Sequence, residues 1–172
     1  MTPLKNLMMH GVMLDGDNWR VYLESHEFEI VAIALQENMV NLSKQLSLPL
    51  IEASLVVSKY TKQLTANIVD YAHSKGEVLP QSILAPLPLS DDESNADENY
   101  SGMPLEKIID VVDHERMDIF DTLIRTTINI QEIPIFDALV VLRTWEKLVR
   151  EQLVRVESVG QLFSPLNLPE DF

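Results

Sequence analysis

The chain of 172 residues carries 13 Lys+Arg against 27 Asp+Glu, a formal net charge of −14, with 46% hydrophobic residues and no cysteine. That apolar content suffices for a packed core and excludes global disorder, and the length suits one domain or two small ones. The missing thiols exclude disulfides, thiolate nucleophiles and cysteine metal sites, and the acidity argues against direct contact with nucleic-acid backbone or an anionic membrane.

The N-terminal segment holds Met8, Met9 and Met13, adaptable apolar side chains that suit a protein partner or fill a core. It shows no cleavage-site pattern of a signal peptide. Val12-Met13-Leu14 and Trp19–Leu23 flank Asp15-Gly16-Asp17-Asn18. Asp-Gly between such runs predicts a small β-hairpin, because Gly accepts positive φ cheaply. Trp19 is a candidate interface anchor on it.

A helix is expected from about Ser25, a cap residue, with Phe28, Val31, Leu35, Met39, Leu42 and Leu46 on one face. Pro49 opens a second helix to about Lys75, with Ile51, Leu55, Leu64, Ile68 and Tyr71 in a stripe and Gly76 as the stop. Residues 1–76 thus read as a β-hairpin plus a helical hairpin. The longest apolar run, Ile30 to Leu35, is far too short for a membrane span.

Residues 77–103 contain Pro80, Pro86 and Pro88 and the run Ser90 to Asn99. They read as an exposed, mobile acidic linker. Asp91, Asp92, Glu93, Asp97 and Glu98 are candidate contacts for a basic partner; a solubilising tether has the same composition. The charge divides as −2 over 1–76, −6 over 77–103 and −6 over 104–172.

The region 104–172 begins at Pro104, with Leu105, Ile108, Ile109 and Val112 expected on one helix face. Asp113 is placed to cap a second helix holding Met117, Phe120, Leu123 and Ile124. The β-branched run Thr126–Ile130 favours extended chain. Pro134 opens the longest C-terminal helix, with Phe136, Leu139, Leu142, Trp145, Val149 and Leu153 inward. Glu146/Arg150 and Glu151/Arg155 are spaced for pairing on the wet side. Val154–Glu157 alternates, Gly160 allows a turn, and Leu162-Phe163 returns. The tail 164–172 is expected to be ordered only where it docks.

No motif specifies a reaction. There is no nucleophile elbow, no phosphate-binding glycine loop and no HExxH; His10, His26, His73 and His114 are scattered. Asp110, Asp113, His114, Asp118 and Asp121 form the best carboxylate cluster, with Asp110, His114 and Asp121 near one face if residues 105–125 were a single helix. Such a face could hold a divalent ion or a general base, but Glu115, Arg116 and Arg125 interleave with it and a solvated helix face is the plainer explanation. No catalytic residue, cofactor or metal is therefore assigned.

Helix, helix, longer helix and β-hairpin is the element order of a winged helix. The run Phe136–Leu142, followed by Val154–Glu157 and Phe163, resembles the C-terminal winged helix of bacterial kleisins over roughly the last 60 residues. The resemblance rests on apolar spacing; it implies a winged-helix-like end and carries over no functional residue.

The expected protein is mainly α: an N-terminal helical hairpin with a small β-hairpin, an acidic linker, and a C-terminal helical region ending in a winged-helix-like β-hairpin. The expected function is a non-enzymatic acidic interaction module, an adaptor, small subunit or chaperone-like component of a larger cytoplasmic complex. The partners are proteins, with a basic surface where the acidity is used; an oligomer is left open, and neither direct nucleic-acid binding nor membrane insertion is expected. The alternatives are a polyanion mimic that inhibits a nucleic-acid-binding protein, and a carboxylate/His metal protein or enzyme.

Overall fold

The computed structural model describes residues 26–89 and 103–172, and every regular element among them is helical. Helix α1 spans His26–Leu46, α2 Leu50–Ser74, α3 Gln81–Leu84, α4 Leu105–Val111, α5 His114–Ile130, α6 Ile135–Val154 and α7 Val159–Leu162. Four of them start directly after a proline: Pro49, Pro80, Pro104 and Pro134 each hold an extended conformation at the N-cap. Proline has no N–H to leave unpaired there, so the helix begins one residue later at little cost.

The helix ends follow a common geometry. Ser47, Gly76 and Glu132 take positive φ (45°, 69° and 50°) just past α1, α2 and α5. The next amides reach back five residues: Leu48 N–H to the Ser43 carbonyl, Glu77 to Ala72 and Ile133 to Ile128, at 2.9–3.0 Å. This is the Schellman closure. Gly76 adopts it without steric cost, whereas Ser47 and Glu132 do not. At those two ends the following residue, Leu48 or Ile133, is buried in the core. Its burial drives the turn that the side chain before it disfavours.

The four long helices form a bundle. Glu52 pairs with Arg116 and Tyr60 with Asp121, so α2 and α5 run parallel. Thr61 donates to Glu146 and Arg143 donates to Thr65, so α2 and α6 run antiparallel. The closest packing joins α2 to α6 and α1 to α5, then α1 to α6 and α2 to α5. Each hairpin's own two helices therefore face one another across the diagonal, and neither hairpin closes a core alone. Leu35 and Met39 of α1, Val57 and Ile68 of α2, Phe120 and Ile124 of α5, and Leu139, Leu142 and Trp145 of α6 are fully buried in one shared cluster. A smaller cluster at one end joins Ile51, Ile108, Val112 and Leu162, and so seats α4 and α7.

Several sequence expectations are corrected. Thr126–Ile130 is helical: α5 continues through it, because Thr127 is buried against α1 and its hydroxyl accepts from Asn38 at 3.2 Å. The winged-helix-like end is absent. Val154 closes α6, Arg155 and Val156 turn, Gly160 lies within α7, and no strand occurs among the described residues. Part of the expected linker docks on the bundle: within residues 79–89, Gln81, Ala85, Pro86 and Pro88 are exposed, but Ile83 is not. Ile83 is buried in the main core, and the Leu84 and Leu87 carbonyls accept from Arg143 and Arg150. The tail also docks: Leu166 N–H donates to the Leu48 carbonyl, Leu50 N–H to Ser164, and Phe172 reaches Trp145. The expected β-hairpin of residues 12–23 lies outside the described residues. No helix among the described residues is long and apolar enough to cross a membrane.

Candidate functional site

The carboxylate–histidine cluster does not assemble. The chain breaks at Val112-Asp113, so Asp110 sits on α4 and Asp118 and Asp121 on α5. Asp113 is the N-cap of α5, accepting from the Arg116 amide at 3.0 Å. His114 Nε2 lies 2.9 Å from the Ile109 carbonyl. Asp121 turns inward, while Asp110 and Asp118 face solvent. Among the described residues no group of three or more His, Asp or Glu is placed to hold a metal ion.

The buried polar chemistry instead follows α2. Glu52 is 1% exposed. It accepts from Arg116 Nε and Nη2 at 2.5 and 2.6 Å and from the Asp113 amide at 2.9 Å. The Glu52 hydrogen bonds raise the Arg116 pKa above its ordinary value, against the opposing effect of burial. One to two turns along, Asp121 accepts from Lys59 and, at 2.7 Å, from the Tyr60 hydroxyl. Burial works against the Asp121 charge, but the Lys59 and Tyr60 hydrogen bonds, with the Lys59 and Arg125 charges, outweigh it and lower its pKa. Burial and the Asp121 carboxylate push the Tyr60 hydroxyl well above its usual value. That makes it a donor fixed in place, not an activated phenolate.

Thr61 and Arg143 both bond Glu146, at 3.0 and 2.9 Å, and Arg143 also donates to Thr65 and to the Leu84 carbonyl. Glu146 is thus held inside the bundle, not paired with Arg150 on the wet side. On the wet side Lys147 pairs with Glu151 at 3.6 Å. All three buried groups link the N-terminal hairpin to the C-terminal one, which is a packing role.

Trp145, on the inward face of α6, is fully buried. Its indole N–H donates to Gln36 Oε1 at 2.6 Å, Gln36 Nε2 donates to the Phe172 main-chain oxygen at 2.7 Å, and the Phe172 ring meets it edge-on at 5.2 Å. The other candidate interaction residues, Met8, Met9, Met13, Trp19, Asp91, Asp92, Glu93, Asp97 and Glu98, lie outside the described residues.

One surface was missed by the spacing argument. Of the four apolar residues expected inward on α4, Ile108 and Val112 are buried but Leu105 and Ile109 are 59% and 42% exposed. A seven-residue helix docks along a narrow arc, and these two fall beyond it. Glu106, Asp110, Glu115 and Asp118 are exposed on α4 and the first turns of α5. Lys107 is an exposed cation on α4 itself, whereas Arg116 of α5 is engaged with Glu52. The signal was present in the sequence as acidic residues interleaved with Leu105 and Ile109. Comparison with family models, curated proteins and solved structures finds no match to this chain.

Proposed function

We propose that the chain is a non-enzymatic acidic interaction module, an adaptor, small subunit or chaperone-like component of a larger cytoplasmic complex, and that it engages a basic partner segment through the α4–α5 corner. The observation that carries the reading is the pair of exposed side chains Leu105 and Ile109 bordered by exposed carboxylates. Apolar contact bordered by four carboxylates, against the single exposed ammonium of Lys107 on α4, suits an amphipathic basic segment, with the net negative charge steering approach and the apolar residues adding contact. The buried ionic groups support the same reading from the other side, since each is engaged in holding helices together.

The test is affinity capture with the full chain at low and moderate salt, compared with Leu105→Asp/Ile109→Asp and with Asp110→Lys/Glu115→Lys. A stoichiometric partner that survives moderate salt and is lost with either double variant supports the reading. Captured nucleic-acid binders that vanish with salt would favour polyanion mimicry, and unchanged capture by both variants would place the contact elsewhere.

A further inference from the structure

Residues 79–89 form a strap across α6 where it meets α2, a site separate from the acidic corner and independent of it. Ile83 anchors the strap, 6% exposed within the main core, and Leu79 packs against the same core. The rest of the hold is on backbone. Arg143 Nη2 donates to the Leu84 carbonyl at 3.2 Å, and Arg150 Nη1 to the Leu87 carbonyl at 2.7 Å. Arg143 also donates to Thr65 of α2, so its guanidinium sits between the two helices. Pro86 and Pro88 themselves are exposed. Val78, just before the strap, is 94% exposed, so the chain leading into it is not packed down.

The spacing of these contacts fits a polyproline II segment. Ala85 and Leu87 each precede a proline, which confines them to extended backbone, and the rings of Pro86 and Pro88 fix their own φ. Ala85 shows the outcome, with φ −91° and ψ 147°. A polyproline II chain turns once in three residues, so carbonyls three apart point the same way and lie about 9 Å apart. Arg143 and Arg150 are two turns apart on α6, about 10.5 Å. One turn of the strap thus matches two turns of the helix that holds it.

One donor is left over. Arg143 is 9% exposed, and its Nε is buried with no hydrogen-bond partner. A buried donor without an acceptor is costly, so the strap is not the best occupant of the arginines that grip it.

We infer that the α2/α6 groove is a docking site for a proline-containing polyproline II segment of a partner protein, and that residues 79–89 are its built-in competitor. The strap defines what the partner brings. An apolar side chain takes the place of Ile83, backbone carbonyls one polyproline turn apart meet Arg143 and Arg150, and prolines hold that backbone extended before binding. Contacts to carbonyls do not depend on side-chain identity, so a segment of different sequence satisfies them. An acceptor at Arg143 Nε gives the partner a contact that the strap lacks. Against this, the strap is tethered, and a tether raises its local concentration to about the millimolar range. The intact chain therefore binds a free segment weakly, and loosening the strap strengthens binding.

Fluorescence anisotropy of the full chain with a labelled peptide of sequence 79–89 is the test. Ile83→Asp removes the strap's anchor, and Pro86→Gly/Pro88→Gly, at exposed positions, loosens it without touching the core. The peptide should bind wild type weakly, Ile83→Asp about tenfold more tightly, and the glycine variant several-fold more tightly. Adding Arg150→Ala should remove the gain, as should glycine at the peptide positions matching Pro86 and Pro88. A peptide with alanine at the positions of Gln81 and Ser82 should bind as well as the first. A folded glycine variant that binds no better than wild type overturns the inference, whether or not Ile83→Asp folds. A gain that survives Arg150→Ala overturns it too. So does a wild-type chain that sediments as a dimer and becomes monomeric on Ile83→Asp, since the groove's occupant is then the strap of a second copy.

Discussion

Glu52, in the first turn of α2, is sealed beneath Arg116, in the first turn of α5, with two guanidinium nitrogens at 2.5 and 2.6 Å from its carboxylate oxygens. The Asp113 amide at 2.9 Å supplies a third donor. The carboxylate thereby fastens the turn of one hairpin to the start of the other. A buried ion pair gains little net stability over an apolar pair, but losing one member strands the other.

Arg116→Ala should therefore cost about 3 kcal/mol, because it leaves Glu52 buried and short of donors. Glu52→Gln should cost about 1–2 kcal/mol, since the amide keeps the shape and an acceptor while removing the charge. Urea denaturation of both variants gives the comparison; a larger loss for Glu52→Gln would contradict it.

The Asp121 carboxyl is held below its ordinary pKa in the folded protein. Its stabilising contribution is complete above the unfolded value of about 3.9 and is lost as pH falls through the lower folded value. Asp121→Asn should flatten this part of the acid limb of the stability–pH curve, at a neutral-pH cost of about 1–2 kcal/mol. Tyr60→Phe removes one of the donors and should narrow the same acid-sensitive window. Thermal unfolding from pH 6 to about pH 3 measures both.

Ser47 and Glu132 hold left-handed backbone at the two hairpin turns. Ser47→Gly and Glu132→Gly should each stabilise the protein by a few tenths to about 1 kcal/mol, the relief of αL strain exceeding the added freedom of the unfolded chain. The two sites are on separate turns, so their effects should add. Urea midpoints of the single and double variants check this.

Gln36 satisfies the Trp145 indole N–H and also donates to Phe172. Gln36→Ala should cost about 1–3 kcal/mol by stranding a buried donor. Phe172→Ala should cost about 1 kcal/mol, the worth of an edge-on aromatic contact with partial burial. In a Trp19→Phe background the remaining indole emission should shift to the red in both variants as water reaches Trp145. An unshifted spectrum for Phe172→Ala would mean that the tail does not shield the ring.

Much of the helical architecture was legible. The stripe through Leu35 and Met39, the one through Leu64 and Ile68, and the one through Phe136, Leu139, Leu142 and Trp145 each describe a face that must be buried, and each is. Pro49, Pro104 and Pro134 and the cap at Asp113 marked helix starts to within a residue. These signals are local, since a proline or a cap acts on its own turn. Thr126–Ile130 misled because β-branched preference is weak and the buried Thr127 outweighs it. Val154–Glu157 misled because four alternating residues cannot distinguish a strand from the fraying end of a helix.

A helical chain, its acidity, its lack of thiol chemistry and the faces its helices bury follow from composition and from residues within a few turns of one another. Long-range packing selects which face meets which. It sets the helices of each hairpin on a diagonal, draws Glu52 to Arg116 and Asp121 to Lys59 and Tyr60, and leaves Ile119 and Ile130 of α5 exposed. Those outcomes depend on contacts between residues sixty or more positions apart, where burying a shared core across both hairpins outweighs every local preference.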